Sequence, residues 1–363
     1  MSGPPVRRAA VVLLASVLVL GGAGIGAIAA ADAPETPATN PGTFEVSIID
    51  GETATATYAV NTTSGTINVT NGSVTNQTIA TIDPATQSTK AIQFAVDNAT
   101  GTNDTVRVGP GTYNGSITIS NAGVTLEAAD SAETAVLNLT DSGTDAAIDV
   151  EASNVVVAGL TIERVNGDAY SQAIAVRATD NVTLANNTLT QSGGAAPTQG
   201  VLITDNRGDQ TNNTETVITN TDVSGFSHGI AVSTQDDPGG IDDATIVSNT
   251  IESNIIGVKI SDFTDSNEPV SVEITDNEIV NNEDAIRVLN DSTGPAGTNP
   301  QGIAMLDSVT ASYNNLSANT NTGVVNLGTG DTLTATRNWW GSEGGPTDSE
   351  VSGNVTTEPY YTV

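Results

Sequence analysis

Cysteine is absent from the 363 residues, histidine occurs once, at His228, and lysine occurs only at Lys90 and Lys259. Disulfides and thiolate metal sites are thereby excluded, and an imidazole-rich or soft metal cluster has no ligands to draw on. Aromatic residues are 3% of the chain, with few between the ends (Tyr170, Phe226, Phe263 and Tyr313), so an extended ring surface for stacking sugars is not expected there. Ten basic residues stand against 42 acidic ones, a formal charge of -32. Nucleic acid is not expected as a partner, because that binding rests on cationic neutralisation of phosphate.

Thr, Asn, Ser, Asp, Val and Ile dominate instead, with 36 glycines to punctuate them. This is the composition of many short strands and of one all-β unit. The N-terminus has a different character. Arg7 and Arg8 precede a small and apolar run from Ala9 to Ala31, and ADAPETPATNPG follows. Residues 1–31 are expected to be a signal peptide or, since the run is long enough to span a bilayer, an uncleaved signal anchor; residues 32–43 are a Pro/Thr linker. Either way the body faces outward, secreted or tethered at the cell surface, and the arginine pair hints at twin-arginine export. Fourteen N-x-S/T sequons, among them Asn61, Asn68, Asn71, Asn76, Asn98, Asn181 and Asn290, fit a glycosylated surface protein.

The main signal is a repeat. VTLANNTL (182–189), ATIVSNTI (244–251), VEITDNEI (272–279), VTASYNNL (309–316) and LTATRNWW (333–340) share one frame, with asparagine at Asn187, Asn249, Asn277, Asn314 and Asn338. VVVAGLTI (155–162) fits with Leu160 in that slot, and VITNTDV (217–223) fits with Asn220 after one residue of slippage. Successive slots are 27, 33, 29, 28, 37 and 24 residues apart, too far for a hairpin meander. Between slots runs a second alternation, usually opened by Gly: GVLI (200–203), GIAV (229–232), GVKI (257–260) and AIRV (285–288). Three short strands per period, stacked in register, make a single-stranded right-handed parallel β-helix of about 8–10 coils over residues 88–363. The framed asparagines are expected at a tight interior turn, where Asn tolerates unusual backbone angles and its amide bonds to the coils above and below. Residues 44–87 have strand-like alternation without the frame and are either extra strands or a stalk.

Three segments resemble the pectin-lyase-like superfamily of parallel β-helix repeat proteins. STKAIQFAVDNA (88–99) is similar to the short capping helix, with Ile92, Ala95, Val96 and Ala99 toward the core. TVRVGPGTYNGSITI (105–119) is similar to the first coil. RNWWGSEGGPT with VSGNVTTEPYY resembles the closing segment, in which Trp339, Trp340 and Pro359 to Tyr361 would form an aromatic cap. The acidic, lysine-poor composition also resembles that of proteins from salt-loving archaea, where concentrated salt screens self-repulsion. The resemblance implies a fold that carries lyases, hydrolases and scaffolds alike.

Chemistry in such a fold belongs on the loops. Four long ones follow the Gly-opened strand: 205–216, 234–243, 262–269 and 290–302. Coil stacking is expected to bring Asp205, Asp236, Asp237, Asp262 and Asp291 near one column, where Ca²⁺ is the candidate cofactor. NTDVSGFSHGIAVSTQDD (220–237) resembles the NTD, HG and DD elements of polygalacturonase-type hydrolases, making Asp222, His228, Asp236 and Asp237 the catalytic candidates, although the histidine precedes DD here. Paired carboxylates would protonate the glycosidic oxygen and activate water. Two readings remain open: a monomeric extracellular scaffold that contacts polysaccharide or surface molecules through acidic loops without turnover, and a polysaccharide hydrolase or lyase.

Overall fold

The computed structural model describes residues 43–50, 53–61, 66–71, 74–81, 89–99, 104–129, 135–139, 146–167, 171–194, 198–205, 212–235, 239–262, 269–289, 305–330 and 332–362. The chain divides into Met1–Thr39 and Asn40–Val363, and every described residue belongs to the second unit. The signal or anchor segment and nearly all of the Pro/Thr linker lie outside the described residues, as do Asp236, Asp237 and Asp291.

From Thr105 onward the strands are almost all parallel and fall into three sheets. Sheet A, of sixteen strands, runs through every coil and includes Thr125–Ala128, Thr183–Ala185, Ile241–Val247 and Pro269–Thr275. Sheet B has seven strands, from Gly111–Asn114 to Glu278–Val280, and sheet C has nine, from Ile117–Ile119 to Val351–Gly353. Seven coils therefore carry a full set of three strands. In two more, the sheet B strand is reduced to a bridging residue, Asn315 and then Trp339. The molecule is a parallel β-solenoid, as the repeat requires, with sheet B thinned in the last turns.

Like residues stack on like. Ile148, Ile174, Val201, Ile230, Val258, Ile286 and Val324 occupy one register position through sheet C. Leu137, Ile162, Leu189, Val223, Ile251 and Ile279 do so in sheet B. These residues are all buried, and each such side chain stabilises by about 1.5–3 kcal/mol as an upper bound.

Both ends are closed. The helix Lys90–Asn98 buries Ile92, Ala95, Val96 and the following Ala99. Its Gln93 acts as a substitute strand: Nε2 donates to Thr118 O at 2.8 Å, and Thr118 N donates to Oε1 at 2.7 Å. At the other end Trp340 is buried and Tyr360 leans on the core, whereas Trp339 is half-buried and Tyr361 is exposed. Successive residues of an extended segment face opposite ways, so Trp339 and Trp340 cannot both close the end. Within residues 43–81 lie four antiparallel strands, Thr43–Asp50, Thr53–Asn61, Thr66–Asn71 and Val74–Thr81, and the first pairs antiparallel with Thr105–Val108.

Candidate functional site

The corner between sheets A and B is built from two residues with separate tasks. The first takes positive φ: Asn186, Asn220, Ser248, Asp276, Tyr313 and Arg337 all lie between 48° and 60°. The second is buried and carries the side-chain ladder: Asn187, Asn249, Asn277, Asn314 and Asn338. Asn277 Oδ1 accepts from Asn249 N at 2.9 Å, and its Nδ2 donates to Ile246 O at 2.8 Å and to Asn314 Oδ1 at 2.9 Å. Asn314 repeats the pattern onto Asn338. Asn220 is not part of this column. It is exposed with φ 48°, and Thr221, wholly buried, fills the slot: Thr221 N donates to Asn249 Oδ1 at 2.9 Å. The slippage in VITNTDV is thus a shift of the ladder position to Thr221, because Asn220 occupies the left-handed turn that Asn tolerates.

A second column at the sheet B to sheet C corner escaped the sequence reading. Asn254 N donates to Asn282 Oδ1 at 2.9 Å, and Asn282 N donates to Asn319 Oδ1 at 3.0 Å. The signal was present as a second asparagine five residues after the first in NTIESN, NEIVNN and NNLSAN. This column also explains the Gly that opens the sheet C strands. A Cβ on Gly229 would sit 2.7 Å from Gly257 O and 3.0 Å from Asn254 Nδ2.

Of the catalytic candidates, Asp222 and His228 fall on different sheets, and Asp236 and Asp237 lie outside the described residues. Asp222 opens a sheet B strand and is exposed, whereas His228 opens the next sheet C strand. His228 stands in register between Gln199 and Ile256, above a Gln172 whose Nε2 donates to Gln199 Oε1 at 3.1 Å. Burial, then the nearby Lys259 ammonium, lowers the imidazole from 6.5 to about 3, so it is neutral at pH 7. Its Nδ1 is buried without a hydrogen-bond partner among the described residues. The neighbouring arginines are engaged: Arg177 pairs with Asp149 at 2.8 Å and Arg287 with Asp284 at 2.7 Å.

The expected acidic column also differs in detail. Register pairs Thr204 with Ser233 and Thr234 with Asp262, which puts Thr234 between Asp205 and Asp262; Asp236, Asp237 and Asp291 lie outside the described residues. Asp205 is fully buried, and its Oδ1 accepts from Gln235 N at 2.6 Å, which fits a carboxylate that shapes the start of its loop. Among the described residues no three His, Asp or Glu side chains come together to hold a metal.

An open cleft of about 420 Å³ lies over the second asparagine column. Its walls come from three successive corners, Gly225 to Ser227, Ser253 to Ile255 and Asn281 to Glu283, with Thr320 from a fourth. Ser253 and Asn281 hold positive φ there, at 58° and 57°. Glu283 is the only carboxylate among the lining residues, and Ile255 is 45% exposed. The floor is fixed by the amide ladder, so the lining keeps its shape without a ligand.

No family model matches the chain, and no curated protein matches it in sequence. Solved structures do resemble it in fold. Pectate lyase Pel9A is 14% identical, with 71% of this chain and 70% of that chain covered and a TM-score of 0.42. A polygalacturonase from Erwinia carotovora ssp. carotovora is 12% identical over 76% of this chain and 94% of its own, with a TM-score of 0.42. An alginate lyase from a Paenibacillus species is 17% identical, with coverages of 76% and 96% and a TM-score of 0.39.

Proposed function

We propose that the protein is an extracellular or cell-surface β-solenoid scaffold that binds polysaccharide without turning it over. The cleft over the Asn254 column carries this reading. It is lined by backbone, hydroxyl and amide groups with one exposed aliphatic side chain, Ile255, and with one carboxylate, Glu283. Hydroxyls and amides placed along a rigid wall suit the hydroxyls of a sugar chain. Glycosidic hydrolysis calls for two carboxyl groups flanking the bond, and Glu283 has no second acid beside it among the lining residues. The separation of Asp222 and His228 onto different sheets supports the same side. The outward location rests on Arg7, Arg8 and the apolar run that follows.

The test is a screen of the purified chain in concentrated salt against neutral and acidic polysaccharides. Retardation of the protein in glycan-containing gels, with no new reducing ends and no absorbance from unsaturated products, is the expected result. Product release that disappears in Asp236→Asn and Asp237→Asn variants would establish the hydrolase or lyase instead.

A further inference from the structure

At the sheet A to sheet B corner, the left-handed position is filled by Gly159, Asn186, Asn220, Ser248 and Asp276 in successive coils, and then by Tyr313 and Arg337. Positive φ is tolerated by glycine and by short polar residues, but it strains a bulky side chain by an amount on the order of 1 kcal/mol or more. The two large residues are neighbours. The Arg337 guanidinium lies 5.5 Å from the centre of the Tyr313 ring, and its NH1 group donates to the Tyr313 hydroxyl at 3.0 Å. Tyr313 is nonetheless 51% exposed, so one contact fixes the ring while much of it stays open to solvent.

Two more rings share this corner. Trp339, two residues after Arg337, takes the place that Asn315 holds one coil earlier. Its alternation with buried Trp340 turns it to the outer face. Tyr361 continues the column: Tyr361 N donates to Asn338 O at 3.0 Å, as Trp339 N donates to Asn314 O at 2.8 Å. Tyr361 is 54% exposed. In a chain with 3% aromatic residues, three outward rings within the last turns are a concentration: Tyr361 follows Trp339 at the coil spacing of roughly 4.8 Å, and Tyr313 stands under Arg337 at the left-handed position of the same corner. The charges are also unusual. Arg107, Arg177 and Arg287 each pair with a carboxylate, whereas Arg337 makes no ion pair among the described residues.

We propose that Tyr313, Trp339, Tyr361 and Arg337 form a stacking platform for a neutral pyranose chain. Rigid aromatic faces supply contact area at low entropic cost, the apolar C–H faces of pyranose rings lie flat on them, and the remaining guanidinium N–H groups donate to ring hydroxyls. A net charge of -32 disfavours a polyanion as the occupant. This surface is distinct from the cleft over Asn254, and it stands whether or not that cleft binds.

The chain has two tryptophans, Trp339 and Trp340, so its intrinsic fluorescence reports directly on the platform. Titration of the full chain in multimolar potassium chloride with hexaoses of β-1,4-linked glucose or mannose should give a saturable fluorescence change. Tyr361→Ala should weaken that binding by about tenfold at an unchanged melting temperature, and Glu163→Gln, exposed on an earlier coil and outside both surfaces, should leave it unaltered. No fluorescence response to either hexaose, equal affinity in Tyr361→Ala and Trp339→Phe, or preference for a polyuronate would each overturn the proposal. So would ligand-free self-association that changes the same fluorescence, because the rings would then be covered by a second copy.

Discussion

Asn249 points both its backbone N–H and its side-chain Nδ2 at one oxygen, Oδ1 of Asn277, at 2.9 and 3.0 Å. Each asparagine in the column thereby ties its own turn to the next, and the corner of every coil is fixed by the coil that follows it. Rigidity at the corners gives the shallow surfaces above them a definite shape.

Removal of Asn277 leaves buried N–H and C=O groups on two neighbouring coils without partners. Asn277→Ala is therefore expected to destabilise by about 1–3 kcal/mol. Asn220, exposed and in the left-handed turn, behaves differently: Asn220→Gly should change stability by less than about 0.5 kcal/mol, since glycine adopts that φ freely. Urea unfolding of both variants checks the contrast, and equal losses would misplace the ladder.

His228 gives a pH signature. Its folded pKa of about 3 lies below the ordinary 6.5, so the unfolded chain binds the proton more readily between those values. Its contribution to stability is complete above pH 6.5 and is lost as pH falls toward 3. Carboxylates titrate in the same range, but His228 is the single histidine. The difference between wild type and His228→Gln should therefore shrink on going from pH 7 to pH 4, by an amount on the order of 3 kcal/mol. A constant difference would mean that the imidazole is solvated.

Dilution of salt should lower the melting temperature, because a charge of -32 is no longer screened. Calcium is expected to act only as ionic strength. Thr234 stands between Asp205 and Asp262 in the column, and Asp205 Oδ1 is taken by Gln235 N. Melting at low salt should then respond equally to millimolar Ca²⁺ in wild type and in the Asp236→Asn, Asp237→Asn double variant. A shift confined to wild type would establish a calcium site in the loops.

The solenoid was legible in the sequence because a stacked fold writes its period directly: VEITDNEI, ATIVSNTI and VTASYNNL align by eye, and the strands they open pair in register. The corner was half legible. One asparagine stood for two tasks until backbone angles separated Asn186 from Asn187 and Asn220 from Thr221. Of the expected acidic column only Asp205 and Asp262 fall on described positions, and the register sets Thr234 between them; strand ends fix that register, which loop composition does not reveal. The cleft had no signature and the aromatic end was legible only as a closing cap, since each surface is assembled from single residues of different coils, 28 positions apart for Ile255 and Glu283 and 24 for Tyr313 and Arg337.

Binding without turnover is tested most directly by equilibrium titration of a size-defined polysaccharide, with the chain length of the glycan measured before and after prolonged incubation. Wild type should bind it and return it at its original length. A cleft-filling Ser253→Trp variant, stable to the same temperature, should bind it at least about tenfold more weakly. Shortened chains after incubation with wild type would contradict the scaffold reading outright.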